Sequence, residues 1–174
     1  MNNLKRNLII TNVFLVFIVF SWMWYGKEEL LKKGEILVLK LQPADPRSFM
    51  MGDYMTLNYD INNQLFTNAF ELNDFESMNM DPFDGPVRQE MVVKMQASLA
   101  VFVRMKNKKP LGKGEFALPC KRNYFNYEVL PNEYLFQEGR SKHFNQAEYA
   151  QFRVDRSGGV IIECLLDKDR KPLR

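Results

Sequence analysis

The chain has 174 residues, 46% of them hydrophobic and 26% charged, a size that suits one membrane segment and one domain. A net charge of +3, spread along the chain, gives no basis for nucleic-acid binding. His143 is the single histidine, and Cys120 and Cys164 lack C-x-x-C spacing. A two-histidine metal site within one chain is therefore excluded, zinc-ribbon and thioredoxin-type chemistry are not indicated, and no cofactor or metal is expected.

In chain order, Asn7 to Tyr25 (NLIITNVFLVFIVFSWMWY) carries no charge and has the length of a helix crossing a bilayer core. Trp22, Trp24 and Tyr25 gather at its far end, as an interfacial aromatic belt does. Lys5 and Arg6 could open a cleaved signal peptide, but bulky side chains stand where small cleavage-site residues belong, so an uncleaved signal anchor is expected. Lysine and arginine counts on the two sides do not set the orientation. The general behaviour of signal anchors gives a cytoplasmic tail over 1–6, a span over 7–25 and an extracytoplasmic domain over 26–174. About 149 residues remain beyond the span, enough for a real core. Lys27 to Lys33 reads as a polar helical extension, with Gly34 at the C-cap.

Glu35 to Gln42 reads as a strand, and Pro43 to Ser48 as a rigid turn, each proline biasing its predecessor away from helix. Gly52-Asp53 reads as a second tight turn. Beyond it, Met55, Leu57, Tyr59 and Ile61 alternate with Tyr54, Thr56, Asn58 and Asp60, the period of a half-buried strand. Asn62 to Asn79 suits a short amphipathic helix, broken at Asp81 to Pro86. The acidic run Asp74, Glu76, Asp81 and Asp84 lacks the spacing of a calcium loop. Glu90 to Lys106 is β-rich with a break near Gln96-Ala97-Ser98. Lys106, Lys108, Lys109 and Lys113 fall in a solvated hairpin loop, with an anionic lipid headgroup as the second reading, and Glu115 to Leu118 returns. Phe125 to Leu130 and Tyr134 to Gln137 make two more strands, Glu138 to Tyr149 a helical or loop excursion, and Gln151 to Asp155 with Val160 to Leu166 a closing hairpin. The fold class is α+β: one N-terminal transmembrane helix, then a mainly antiparallel β domain of about eight strands with one or two short helices. The cysteines read most simply as two buried thiols, although an extracytoplasmic domain would allow them to pair.

The stretch Gly52-Asp53-Tyr54-Met55-Thr56-Leu57-Asn58-Tyr59 resembles the motif of the GDYXXLXY proteins, with Gly52, Asp53, Tyr54, Leu57 and Tyr59 at the named positions. The lead-in Leu41 to Ser48 is similar, as are the later blocks Tyr134 to Gly139, Ala147 to Tyr149 and Arg153 to Asp155. The resemblance runs from about Lys27 to Leu166. It implies a bacterial, membrane-anchored protein whose neighbours are multi-pass membrane proteins, and it implies no reaction.

Catalytic constellations are sparse. A serine or cysteine triad would have to use His143, which reads as an exposed surface histidine, and no G-x-S-x-G elbow exists. Glu138 and Glu148 could pair as acid and base, but with 21 acidic residues such pairs arise by chance. Ser48-Phe49-Met50-Met51 ahead of Gly52-Asp53 is loosely similar to the serine segment of bacterial type I signal peptidases. It lacks the Pro-Thr that follows that serine, its spacing is too short, and Lys94 and Lys121 are only positional candidates for the lysine base.

The expected function is a single-pass accessory protein of the bacterial inner membrane, with its C-terminal domain outside the cytoplasm. It would dock on an integral membrane protein, touch lipid through the anchor, and carry no catalysis of its own. Arg47, Asp53 and Tyr54 are the candidate contact residues. The alternatives are a membrane-tethered hydrolase using Ser48 and a periplasmic module for a small molecule or lipid, for which an apolar pocket would be the sign.

Overall fold

The structure is a computed structural model that describes residues 3–42, 54–64, 86–123, 126–137 and 139–173. Arg47, Ser48, Gly52, Asp53, the expected turn over Pro43 to Ser48, most of the expected helix over Asn62 to Asn79, the acidic run from Asp74 to Asp84, and Glu138 lie outside the described residues. The chain divides into two compact units, Met1–Gly34 and Glu35–Arg174.

The first unit is one helix, α1 (Asn3–Lys33), of 31 residues. At about 1.5 Å per residue it is roughly 46 Å long, so the apolar stretch and the polar Lys27–Lys33 extension form one continuous rod. It is long and apolar enough to cross a membrane, and its large apolar side chains from Leu8 to Tyr25 are exposed. The extension is stitched by i,i+4 ion pairs, Glu28–Lys32 at 2.6 Å and Glu29–Lys33 at 2.8 Å. Each has the acid N-terminal to the base, the order that favours a helix. The Gly34 N–H donates to the Leu30 carbonyl at 2.8 Å and closes the last turn, where the sequence placed the cap.

The second unit has ten strands among its described residues, all paired antiparallel. One sheet has the order β1-β8-β9-β10, from β1 (Glu35–Lys40), β8 (Tyr149–Val154), β9 (Val160–Leu166) and β10 (Pro172–Leu173). A second has the order β4-β3-β5-β6, from β3 (Val87–Gln96), β4 (Leu99–Met105), β5 (Glu115–Asn123) and β6 (Asn126–Val129). A two-stranded ribbon joins β2 (Tyr54–Thr56) to β7 (Glu133–Leu135). The one short labelled helix beyond α1 is α2 (Ser141–Phe144), and residues 61–64 are also helical.

Local chemistry fixes the turns. The β3–β4 hairpin closes on Ala97 and Ser98, both at positive φ (48° and 73°), the mirror-image turn whose twist matches that of the strands. In the β8–β9 hairpin the Asp155 carboxylate accepts from Ser157 N, Ser157 Oγ and Gly159 N at 2.6–2.8 Å. Asp167 does the same for Asp169 N and Lys171 N, each at 2.8 Å, and so turns the chain into β10, a strand too short to show in the sequence. Strand β5 runs five residues past the expected Leu118, through Pro119. Proline has no N–H for a neighbour; the β5–β6 ladder stops at Cys120 opposite Val129, and past it the Pro119 carbonyl accepts from Leu130 N–H at 2.8 Å.

Alternation puts one face of each sheet into a shared core. Leu37 and Leu39 of β1, Ala150, Phe152 and Val154 of β8, and Leu165 of β9 meet Met91 and Val93 of β3, Phe116, Leu118 and Cys120 of β5, and Val129 of β6. Cys120 is buried in this core and Cys164 half-buried on β9, and the two form no disulfide. The motif strand is shorter than its alternation predicts. The ladder stops at Thr56, and the chain turns helical at 61–64, with Asn62 N–H donating to the Tyr59 carbonyl at 3.0 Å.

Candidate functional site

The motif strand and the second family-like block, far apart in sequence, meet in the ribbon. Tyr54 lies opposite Leu135, Met55 opposite Tyr134 and Thr56 opposite Glu133. Leu57 N–H extends this contact by donating to the Asn132 carbonyl at 2.7 Å. The motif then changes partner. Tyr59 bridges antiparallel to Leu41, Gln42 N–H donates to the Asn58 carbonyl at 2.8 Å, and Asp60 N–H donates to the Lys40 carbonyl at 2.9 Å. Seven residues, Tyr54 to Asp60, thus tie the ribbon to the end of β1.

The inward face is as the alternation predicts. Leu57, Tyr59 and Ile61 are buried and Met55 packs partly against the core. Tyr59 is fully buried; its hydroxyl donates to the Pro131 carbonyl at 2.6 Å and its ring lies 5.7 Å from Phe152. Burial pushes its phenol far above the ordinary tyrosine value, so it stays neutral and acts as a donor rather than as an acid–base group. A chain of amides lines the strand's end: Asn58 Nδ2 donates to Gln42 Oε1 at 2.9 Å, and Asn62 Nδ2 donates to Asn58 Oδ1 at 3.0 Å.

The outward face is different. Tyr54 is half-buried, Thr56 and Glu133 are exposed, and Leu135 is 78% exposed. Tyr54 and Leu135 form one cross-strand apolar pair on the surface of the ribbon. Of the three candidate contact residues, the structure therefore describes Tyr54 and gives it this neighbour.

His143 requires a correction. It is half-buried rather than exposed, and its Nε2 is shielded with no hydrogen-bond partner. The cause is the next residue: Phe144 is buried, 4.9 Å from Phe136 and 5.5 Å from Tyr134 between ring centroids. That draws the turn of α2 inward and leaves His143 edge-on to Phe144 at 5.3 Å.

The other candidate residues do not converge. Lys94 is exposed on β3 and Lys121 half-buried on β5, whereas a lysine base needs desolvation. Among the described residues no three His, Cys, Asp or Glu side chains come together as metal ligands. Two grooves are lined mainly by polar side chains, Arg88, Glu90, Lys106 and Asn107 in one and Lys40, Glu148, Asp167 and Lys168 in the other. In the basic loop Lys106 pairs with Glu90, while Lys108, Lys109 and Lys113 are exposed.

The β2–β7 pairing, the Tyr59–Pro131 bond and the amide chain were not anticipated from sequence. The order of the two blocks hinted at the first; nothing local signals the other two.

An N-terminal apolar helix of membrane-spanning length, followed by an antiparallel β domain locked by a motif strand, defines the class. The chain belongs to the GDYXXLXY protein family, whose sequence model matches residues 16–165. No curated protein and no solved structure matches it.

Proposed function

We propose that this is a membrane-anchored extracytoplasmic accessory protein that docks on a multi-pass partner of the bacterial inner membrane and carries no catalysis of its own. The observation that carries the reading is the division of the motif. Leu57 and Tyr59 belong to the core, while Tyr54 and the 78%-exposed Leu135 present an apolar pair on the ribbon's outer face. A large apolar pair on the outer face of a short ribbon suits a contact surface better than a reaction centre. The exposed apolar side chains of α1 support the anchor, and lipid is their natural solvent.

The test is affinity purification of the full-length protein, mildly solubilised from its native membrane, beside Leu135→Asp and Tyr54→Ala. A stoichiometric multi-pass protein should accompany the parent chain and be lost or reduced with the two variants. A parent chain that purifies alone would overturn the reading, as would variants that retain the partner in full.

A further inference from the structure

The span of α1 carries a pattern that crossing a membrane does not require. Its non-aromatic hydrogen-bonding side chains are Asn7, Thr11, Asn12 and Ser21. Asn7, Thr11 and Ser21, with Phe14, Ile18 and Tyr25, follow one another at steps of four, three, four, three and four residues. That is the seam spacing of two helices wound as a left-handed pair. On the unbroken helix Asn3–Lys33 these six residues occupy one stripe about 80° wide, at 100° per residue. The opposite side of the helix, Ile9, Val13, Val16, Val19, Phe20 and Met23, is apolar apart from Asn12, the one of the four that lies off the stripe.

In hydrocarbon, apolar burial gives two helices no reason to associate, and interfacial amides and hydroxyls supply part of what does. Thr11 and Ser21 stand roughly 7.5 Å on either side of the middle of the span. We propose that this seam pairs with the same seam of a second copy of the chain within the bilayer. Complementarity argues for a second copy. Asparagine, threonine and serine side chains each donate and accept, so each can bond its own twin. Two single-pass copies of one orientation place Asn7 against Asn7, Thr11 against Thr11 and Ser21 against Ser21 at matching depth. A foreign helix would need fitting groups at three separate levels. The inference rests on the reading of α1 as membrane-spanning.

The test uses the full-length chain in its native membrane. Thr11→Cys and Ile18→Cys report the seam; Ile9→Cys and Val16→Cys report the far side. The unsubstituted chain, which has the same two native cysteines, sets the background. Mild oxidation with copper phenanthroline should give a dimer band several-fold stronger at the seam positions. The double variant Thr11→Leu/Ser21→Leu should weaken self-association by roughly 3- to 30-fold, the range measured for interhelical hydrogen bonds. Equal cross-linking on both sides, no dimer at the seam, or a seam cross-link to a protein of another mass would each overturn the pairing. An alkaline carbonate wash of the same membranes separates the two failures. Release of the chain overturns the span and the pairing together, whereas retention without a seam-specific dimer overturns the pairing alone.

Discussion

Replacing Tyr59 by phenylalanine removes one oxygen and nothing else from the centre of the motif. The ring keeps its place 5.7 Å from Phe152, but the Pro131 carbonyl loses its 2.6 Å donor. Leaving a buried acceptor unpaired costs about 1–3 kcal/mol. Pro131 is half-buried, so its carbonyl can partly regain water, and the cost falls at about 1 kcal/mol. For a unit of roughly 140 residues that is about 3–4 °C in Tm. Tyr59→Ala also empties the ring's volume and should cost about 3–5 kcal/mol, more than 10 °C on the same scale. The assay is thermal unfolding of both variants and the parent chain in one detergent, followed by near-ultraviolet circular dichroism. A Tyr59→Phe variant that melts with the parent chain while losing partner binding would refute the reasoning, because it would make the hydroxyl a contact group and not a strut.

Cys120 and Cys164 should differ in reactivity. Burial first, and the Glu90 carboxylate second, push the Cys120 thiol from 9.0 up to about 11, so maleimide at pH 7.5 should label half-buried Cys164 in the folded protein and Cys120 only after denaturation. The raised value makes the neutral thiol the native form. Its contribution to stability is therefore complete below about pH 9 and lost as pH rises toward 11, and denaturant titrations should show a shallower alkaline decline for Cys120→Ala. Asp155 gives the opposite sign. Burial would raise its carboxyl, but the Ser157 hydroxyl and the N–H groups of Gly159, Ser157 and Gly158 outweigh it and hold the group below the ordinary carboxylate value. Asp155→Ala should cost about 1–2 kcal/mol at pH 7, and the difference between variant and parent should fade as pH falls below the native carboxyl's value. Leu57→Ala, which empties a buried position of the motif, should cost about 2–5 kcal/mol in the same unfolding assay.

Much of the fold is legible wherever one residue type decides the backbone. Charge-free length marks α1, the turn at Ala97-Ser98 falls within the expected break near Gln96-Ala97-Ser98, and strict alternation puts Leu57, Tyr59 and Ile61 on one face, which packs into the core. What alternation cannot reveal is where a ladder stops. The strand through Ile61 ends at Thr56 because the chain exchanges one partner strand for another there, and both partners are remote in sequence. Strand β10 has two residues and depends on the Asp167 turn, below any periodic signal. His143 was misplaced because a polar neighbourhood (Arg140, Ser141, Lys142) suggested solvent, while a single aromatic, Phe144, decided the side on which the turn packs. The candidate site was half legible: Tyr54 was named, but Leu135, its partner across the ribbon, comes from a block eighty residues away, and only pairing reveals it.

That division of the motif gives a way to separate its structural and contact roles. Leu57 and Tyr59 face the core, so variants there should lower Tm and partner binding together, the second as a consequence of the first. Tyr54 and Leu135 face outward from a short ribbon, where truncation removes little buried area, and surface changes of that kind usually shift stability by no more than about 0.5 kcal/mol. Tyr54→Ala and Leu135→Asp should then reduce binding at nearly unchanged Tm. If instead the four variants lie on one line of binding against Tm, the outward pair has no role of its own, and the contact surface must lie elsewhere on the domain or in the anchor.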